Sequence, residues 1–178
     1  MSSFDFAARA RHLTMAALAA CLTLSLSSCQ VRPLYADGAA GGPAKALGAI
    51  EISEATDRVG QQVRNSLIFL TSGGAGEPAV ADYNLALTVT HETRNVLYDK
   101  RNDRDMAAAG RVVVRADYNL TRVKTGETIR SGSRSAIALV DFPVQEFAKL
   151  RAIRDGQDRA AKELAEIIRA DLAAALGR

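Results

Sequence analysis

The stretch RVVVRADYNL, residues 111–120, decides the fold. Val112, Val114, Ala116, Tyr118 and Leu120 alternate with Arg111, Val113, Arg115, Asp117 and Asn119. Successive side chains of a strand point to opposite faces, so this alternation predicts a strand with one dry face and one wet face. A sheet that is apolar on one side needs a second layer to cover it.

Reading outward from this strand supplies both partners and cover. Tyr83, Leu85, Leu87 and Val89 alternate with Asn84, Ala86, Thr88 and Thr90, which predicts a second strand. Ile129, Ser131, Ser133, Ser135, Ile137 and Leu139 give a weaker third one, with these residues expected to face the core. Thr125-Gly126 marks a tight hairpin before it. The charged residues 99–110 read as a loop. Upstream, residues 49–52 form a short apolar strand, and Ser53 or Thr56 offers a helix cap. Val59, Val63, Leu67 and Leu70 then fall on one helical face, which Gly73-Gly74 ends. Beyond Pro143, the positions Phe147, Leu150, Ile153, Ala160, Ala161, Leu164, Ile167, Ile168 and Leu172 keep helical spacing almost to the end. Gly156 marks a place for a bend in that helix. The order is β-α-β-β-β-α. It predicts an α+β fold in which helices on one face of the sheet form a two-layer sandwich.

The N-terminal residues have a different character. Arg9, Arg11 and His12 precede an uncharged apolar run over residues 13–26. That run is shorter than the roughly 20 residues a membrane-spanning helix needs, and with its basic lead it reads as a secretory signal. It ends on Leu26-Ser27-Ser28-Cys29, which resembles the bacterial lipobox. In such signals the thiol receives diacylglycerol, the chain is cut before the cysteine, and the new amine is usually acylated. The competing readings are a chance match within a plain signal and a Cys21–Cys29 disulfide. Cys21 lies in the discarded run, so after cleavage no second cysteine is left for an intramolecular bridge. Gln30 after the cysteine, in place of Asp, favours the outer over the inner membrane. Residues 31–48 hold Pro33, Gly38, Gly41, Gly42, Pro43 and Gly48 and read as a flexible tether. The chain therefore divides into a signal peptide (1–28), a lipidated Cys29 with its tether (29–48) and an α+β domain (49–178).

Cleavage before Cys29 removes 28 of the 178 residues and leaves 150, enough for one domain without disulfides. Arg9, Arg11 and Asp5 go with the signal, so 21 basic and 19 acidic residues remain, a net +2. So even a balance, with no Trp, argues against a nucleic-acid binder. His91 is the only histidine of the mature chain, so no histidine pair or histidine-based metal cluster can form. There is no GxSxG and no phosphate-binding GxxxxGK loop. Residues 99–105 alternate carboxylates with Lys100, Arg101 and Arg104, whose charges would repel a calcium ion. The expectation is a protein that is no enzyme and needs no cofactor. Arg111 and Arg115 share the wet face of their strand, Arg101 and Arg104 precede it, and Lys149 and Arg151 open the last helix. These basic groups are either solvated face charges or contacts for an anionic amphiphile or acidic partner.

Four pieces of the sequence resemble the lipopolysaccharide-assembly lipoprotein family LptE in its alphaproteobacterial form. They are the lipobox running into CQVRPLY, the strand YNLALTV, the segment RVVVRADYNLTRVKTGETIRSGS and the closing RAAKELAEIIRADLAAAL. The resemblance spans nearly all of the mature chain and contains no active-site signature. It implies two helices on a mostly antiparallel sheet of about four strands. It implies an anchor in the periplasmic leaflet of the outer membrane and a seat inside the large LptD β-barrel. The implied role is assembly of that barrel and delivery of lipopolysaccharide, without catalysis. Arg101, Arg104 and Lys149 fall in the regions through which family members bind lipopolysaccharide. An auxiliary lipoprotein of an intermembrane lipid-transport complex is the alternative.

Overall fold

The computed structural model describes residues 42–99 and 106–177. Cys29, Arg101 and Arg104 lie outside the described residues. The elements are α1 (Gly42–Leu47), β1 (Ile50–Ile52), α2 (Arg58–Ser72), β2 (Tyr83–Asp99), β3 (Met106–Arg122), β4 (Thr128–Asp141) and α3 (Glu146–Leu176). The four strands form one mixed sheet in the order β1-β2-β3-β4, with β1 parallel to β2 and the other pairs antiparallel. The helices pack on one side, as the α+β reading expects, but there are three of them among the described residues. The extra one, α1, comes from the end of the stretch read as tether. Its Leu47 is buried, so the packed layer begins before residue 49.

The core lies between the sheet and the helices. Val112, Val114, Ala116, Tyr118 and Leu120 of β3 are all buried, and the intervening residues face away from the helices. Against them lie Val59, Val63 and Leu67 of α2 and Ala160, Ala161, Leu164, Ile168 and Leu172 of α3. Removing each such Leu or Ile from water contributes about 1.5–3 kcal/mol.

Local chemistry sets the ends of α2. Asp57 is the N-cap, and its Oδ1 accepts from the Gly60 amide at 2.8 Å. The expected cap Ser53 has another task. Its Oγ accepts from the Leu87 amide at 2.9 Å and extends the pairing of β1 with β2 by one step. Gly73 closes α2 at φ 64°, a left-handed conformation that costs glycine little. The hairpin at Gly126 also forms as expected, with φ 69°.

Three readings from the sequence need correction. First, β2 runs on past Thr90 and β3 starts at Met106, so much of the supposed loop is ladder, ending on Asp99↔Met106. The segment has weak strand propensity, and its pairing to β2 is through the backbone. Second, β4 has the opposite phase. Ala136, Ala138 and Val140 face the core, while Ile137 and Leu139 are 50 % and 71 % exposed. Third, α3 passes through Gly156 without a break. A Cβ there would lie 2.5 Å from Val140 Cγ2 and 3.2 Å from Val112 Cγ2. The glycine allows close approach of helix to sheet at Val140 and Val112.

Candidate functional site

The end of the sheet where β4 stops and α3 starts carries the most unusual surface. Phe142 follows β4, and its amide donates to the Ala108 carbonyl at 2.8 Å. Its ring is buried across Gly110, where a Cβ would come within 2.3 Å of Cζ. Gly110 is thus the gap in β3 that Phe142 fills. Lys149, in the first turns of α3, places Nζ 5.2 Å from the centre of that ring. A cation over an aromatic face at this range is attracted by the ring quadrupole. The ammonium is held at the edge of the core and not left on a free stem. Val144 and Phe147, close by in sequence, are 84 % and 86 % exposed.

The open side of the sheet at this end is also amphipathic. Ile137 lies opposite Val113, and Leu139 lies opposite Arg111, which in turn faces Arg94 of β2. An apolar strip of Val113, Ile137 and Leu139 is therefore bordered by Arg94, Arg111 and Arg115. Farther along, the face is hydroxylic and amidic, with Thr88, Thr90, Asn119, Ser131, Ser133 and Ser135. Lys149 and Arg111 occupy the same end but opposite sides of the sheet, since Phe142 lies on the helix side with Val112 and Val140. Reasoning from sequence grouped these cations; the structure divides them between the two layers. The exposed Phe147 and Leu150 were expected in the core, yet α3 begins beyond the part of the sheet that it covers.

A second polar cluster escaped the sequence reading. Tyr118 donates its hydroxyl to Asp171 Oδ2 at 2.6 Å, and Arg134 Nε lies 2.7 Å from the same oxygen. Arg130 is farther off, at 3.8 Å from Oδ1. Gly132 lies between the two arginines on the same face of β4, and a Cβ there would meet Tyr118 Oη at 2.8 Å. The pattern Arg130-x-Gly132-x-Arg134 was the visible signal, since period two puts all three on one face. Burial raises the Asp171 carboxyl, but hydrogen bonds from Tyr118 and Arg134, with the charges of Arg134 and Arg130, more than offset it and leave the group below its ordinary value. Burial, then the bond to Asp171, raises the Tyr118 phenol. An ionised carboxylate held by Tyr118 and Arg134 beside a protonated phenol is a poor base next to a poor nucleophile. The cluster fastens α3 to β3 and β4.

His91 Nδ1 lies 3.2 Å from Asp57 Oδ2, at the start of α2. No group of His, Cys, Asp and Glu among the described residues has the arrangement of a metal site. No helix among them is long and apolar enough to cross a membrane. An open crevice of about 360 Å³ between α2 and α3 is lined by Asn65, Phe69, Leu70, Lys162 and Glu166, among others.

No protein-family model and no curated protein sequence matches the chain. Among solved structures it is similar to a lipoprotein from Caulobacter crescentus CB15, at 30 % identity over 76 % of this chain and 96 % of that one, with a TM-score of 0.62. A minor lipoprotein from Acinetobacter baumannii shares the fold at 15 % identity, over 70 % of this chain and 88 % of that one, with a TM-score of 0.51. Rare lipoprotein B from Shewanella oneidensis matches at 15 % identity, over 71 % and 92 % of the two chains, with a TM-score of 0.48. The identity and near-complete cover of the first of these place the chain in its family: it belongs with the Caulobacter crescentus lipoprotein.

Proposed function

We propose that this lipoprotein is an LptE-type, non-enzymatic subunit of the lipopolysaccharide translocon, held in the periplasmic leaflet of the outer membrane by lipid on Cys29. It seats in an LptD-type β-barrel and aids delivery of lipopolysaccharide to the surface. The observation that carries the reading is the side of the sheet that the helices among the described residues leave uncovered. Asn84, Thr88, Thr90, Arg111, Arg115, Asp117 and Asn119 all face away from the helices. The lumen of a large outer-membrane barrel is polar and suits such a face. The end bearing Lys149, Val144 and Phe147 supports the ligand part of the reading, because an anionic amphiphile needs both a cation and an apolar bed.

Arg101, Arg104 and Lys149 are the proposed lipopolysaccharide contacts. Replacing all three by Ala is expected to lower binding of purified lipopolysaccharide at least tenfold, since each lost charged contact removes about 1 kcal/mol or more. Circular dichroism and the melting temperature should stay near those of the parent. Unchanged binding removes the three residues from the site. Depletion of the protein in cells is expected to reduce surface lipopolysaccharide.

The exposed Ile137, Leu139, Val144 and Phe147 favour one other reading, an auxiliary lipoprotein of an intermembrane lipid carrier. That reading requires recovery with inner-membrane transporter components and normal surface lipopolysaccharide after depletion.

A further inference from the structure

Among the described residues the sheet has an unfinished edge. β1 pairs with β2 only from Tyr83 to Leu85, and Ser53 serves Leu87. Pairing with β3 continues on the other side as far as Asp99. The amide of Tyr83, the carbonyl of Leu85 and the amide of Leu87 all point to the β1 side. The odd-numbered residues that follow, Val89, His91, Thr93 and Asn95, therefore turn their amides and carbonyls to the same side, past the end of β1. Such an edge is a template for another strand.

We infer that the occupant is a second copy of this chain, paired antiparallel through His91–Asn95 about a two-fold axis at Thr93. Charge selects both the partner and the register. With Thr93 opposite Thr93 of the second copy, Glu92 faces Arg94 of that copy and Arg94 faces its Glu92. His91 and Asn95 form the flanking hydrogen-bonded pairs, as the outward direction of the odd residues requires. The charged residues fall at the non-hydrogen-bonded positions, where side chains lie closest. The neighbouring two-fold registers are worse. An axis at Glu92 sets Glu92 against Glu92, and one at Arg94 sets Arg94 against Arg94. An axis at His91 or Asn95 makes no crossed Glu92–Arg94 pair.

The single chain leaves a matching need. Arg94 lies directly across from Arg111. Like charges at opposed positions are destabilising. Within the chain Arg94 has Glu92, at 2.8 Å, on one side. The second copy adds its own Glu92 on the free side, so four alternating charges close a ring next to Arg111. The irregularity between Asn95 and Leu97 ends regular pairing and limits the interface to a short ladder. An interface of that size gives a weak, concentration-dependent dimer. In a barrel the chain sits as a single copy, so the pairing belongs to copies outside one; the inference goes beyond the translocon reading and stands without it.

The test uses the full chain carrying Thr93→Cys, produced in excess over any barrel partner and oxidised in its native membranes, with the parent chain as control for its own cysteines. Opposed Cα atoms in a hydrogen-bonded pair lie about 5.5 Å apart, within disulfide reach. A disulfide-linked species of twice the chain mass is expected, absent from the parent. Adding Glu92→Arg or Arg94→Glu should cut its yield on the order of tenfold, because each turns two attractions into two repulsions. Adding both should restore the yield. No linked species, a linked species containing a different protein, or a yield indifferent to the charge swaps overturns the inference.

Discussion

The two faces of β4 both end in apolar residues and meet opposite fates. Ala136, Ala138 and Val140 are buried beneath α3, whereas the larger Ile137 and Leu139 stand on the open side. Hydrophobicity alone would have turned the strand over. What decides is the distance between α3 and the sheet. Gly156 brings the helix backbone close to Val112 and Val140, which leaves little room for larger side chains between helix and sheet. The covered face is selected for fit, which frees the larger side chains for contacts outside the domain. The same division holds across the molecule. The Tyr118–Asp171–Arg134 cluster lies on the helix side of the sheet and holds elements together, while Lys149, Arg111 and Arg94 stand where a ligand or partner can reach them.

Substitutions on the two faces should separate these roles. Leu164→Ala, on the covered side, removes a fully buried side chain and is expected to cost about 2–5 kcal/mol, read from chemical denaturation. Gly156→Val is the more specific probe, because it adds volume where hydrophobicity alone predicts a gain. Overpacking against Val140 and Val112 should cost about 1–3 kcal/mol, despite the better helix propensity of the new residue. A stabilised variant would show that the helix does not sit so close.

Asp171→Asn comes next, at about 1–2 kcal/mol near neutral pH, since it weakens the bonds from Tyr118 and Arg134. Its pH dependence has a definite sign. The carboxyl titrates lower in the folded protein than in the unfolded chain. Its contribution is therefore present above the unfolded value of about 3.9 and is lost as pH falls through the lower folded value. The melting temperature of the parent should drop over that acid range more steeply than that of Asp171→Asn. Tyr118 works in the other direction. Its raised phenol contributes below about pH 10 and loses that contribution as pH rises through the folded value. Leu139→Ala closes the series. On the open face it should move stability by no more than about 0.5 kcal/mol.

The sequence already carried the layer structure, because residues 111–120 alternate without a fault and α2 keeps its apolar residues on one stripe. It carried the turns at Gly73 and Gly126 for the same local reason. It did not carry the phase of β4. That depends on how close α3 comes, a property of two segments far apart in the chain. Nor did it carry the cluster at Asp171, whose partner Tyr118 is 53 residues away. The start of the packed domain was misplaced because Gly42, Pro43 and Gly48 look like tether, while the buried Leu47 between them is a single apolar residue with no periodic neighbours. At the candidate site, Lys149 was legible as a cation at the start of a helix. Its fixed position over Phe142 depends on the gap at Gly110, which only the folded sheet displays.

The central claim is that the open face belongs to another protein. Affinity purification of the full chain from detergent-solubilised outer membrane tests it most directly. The expected result is stoichiometric recovery of a large β-barrel protein, lost when charges are introduced at Thr88 and Thr90. Recovery of the lipoprotein without any such barrel would contradict the account.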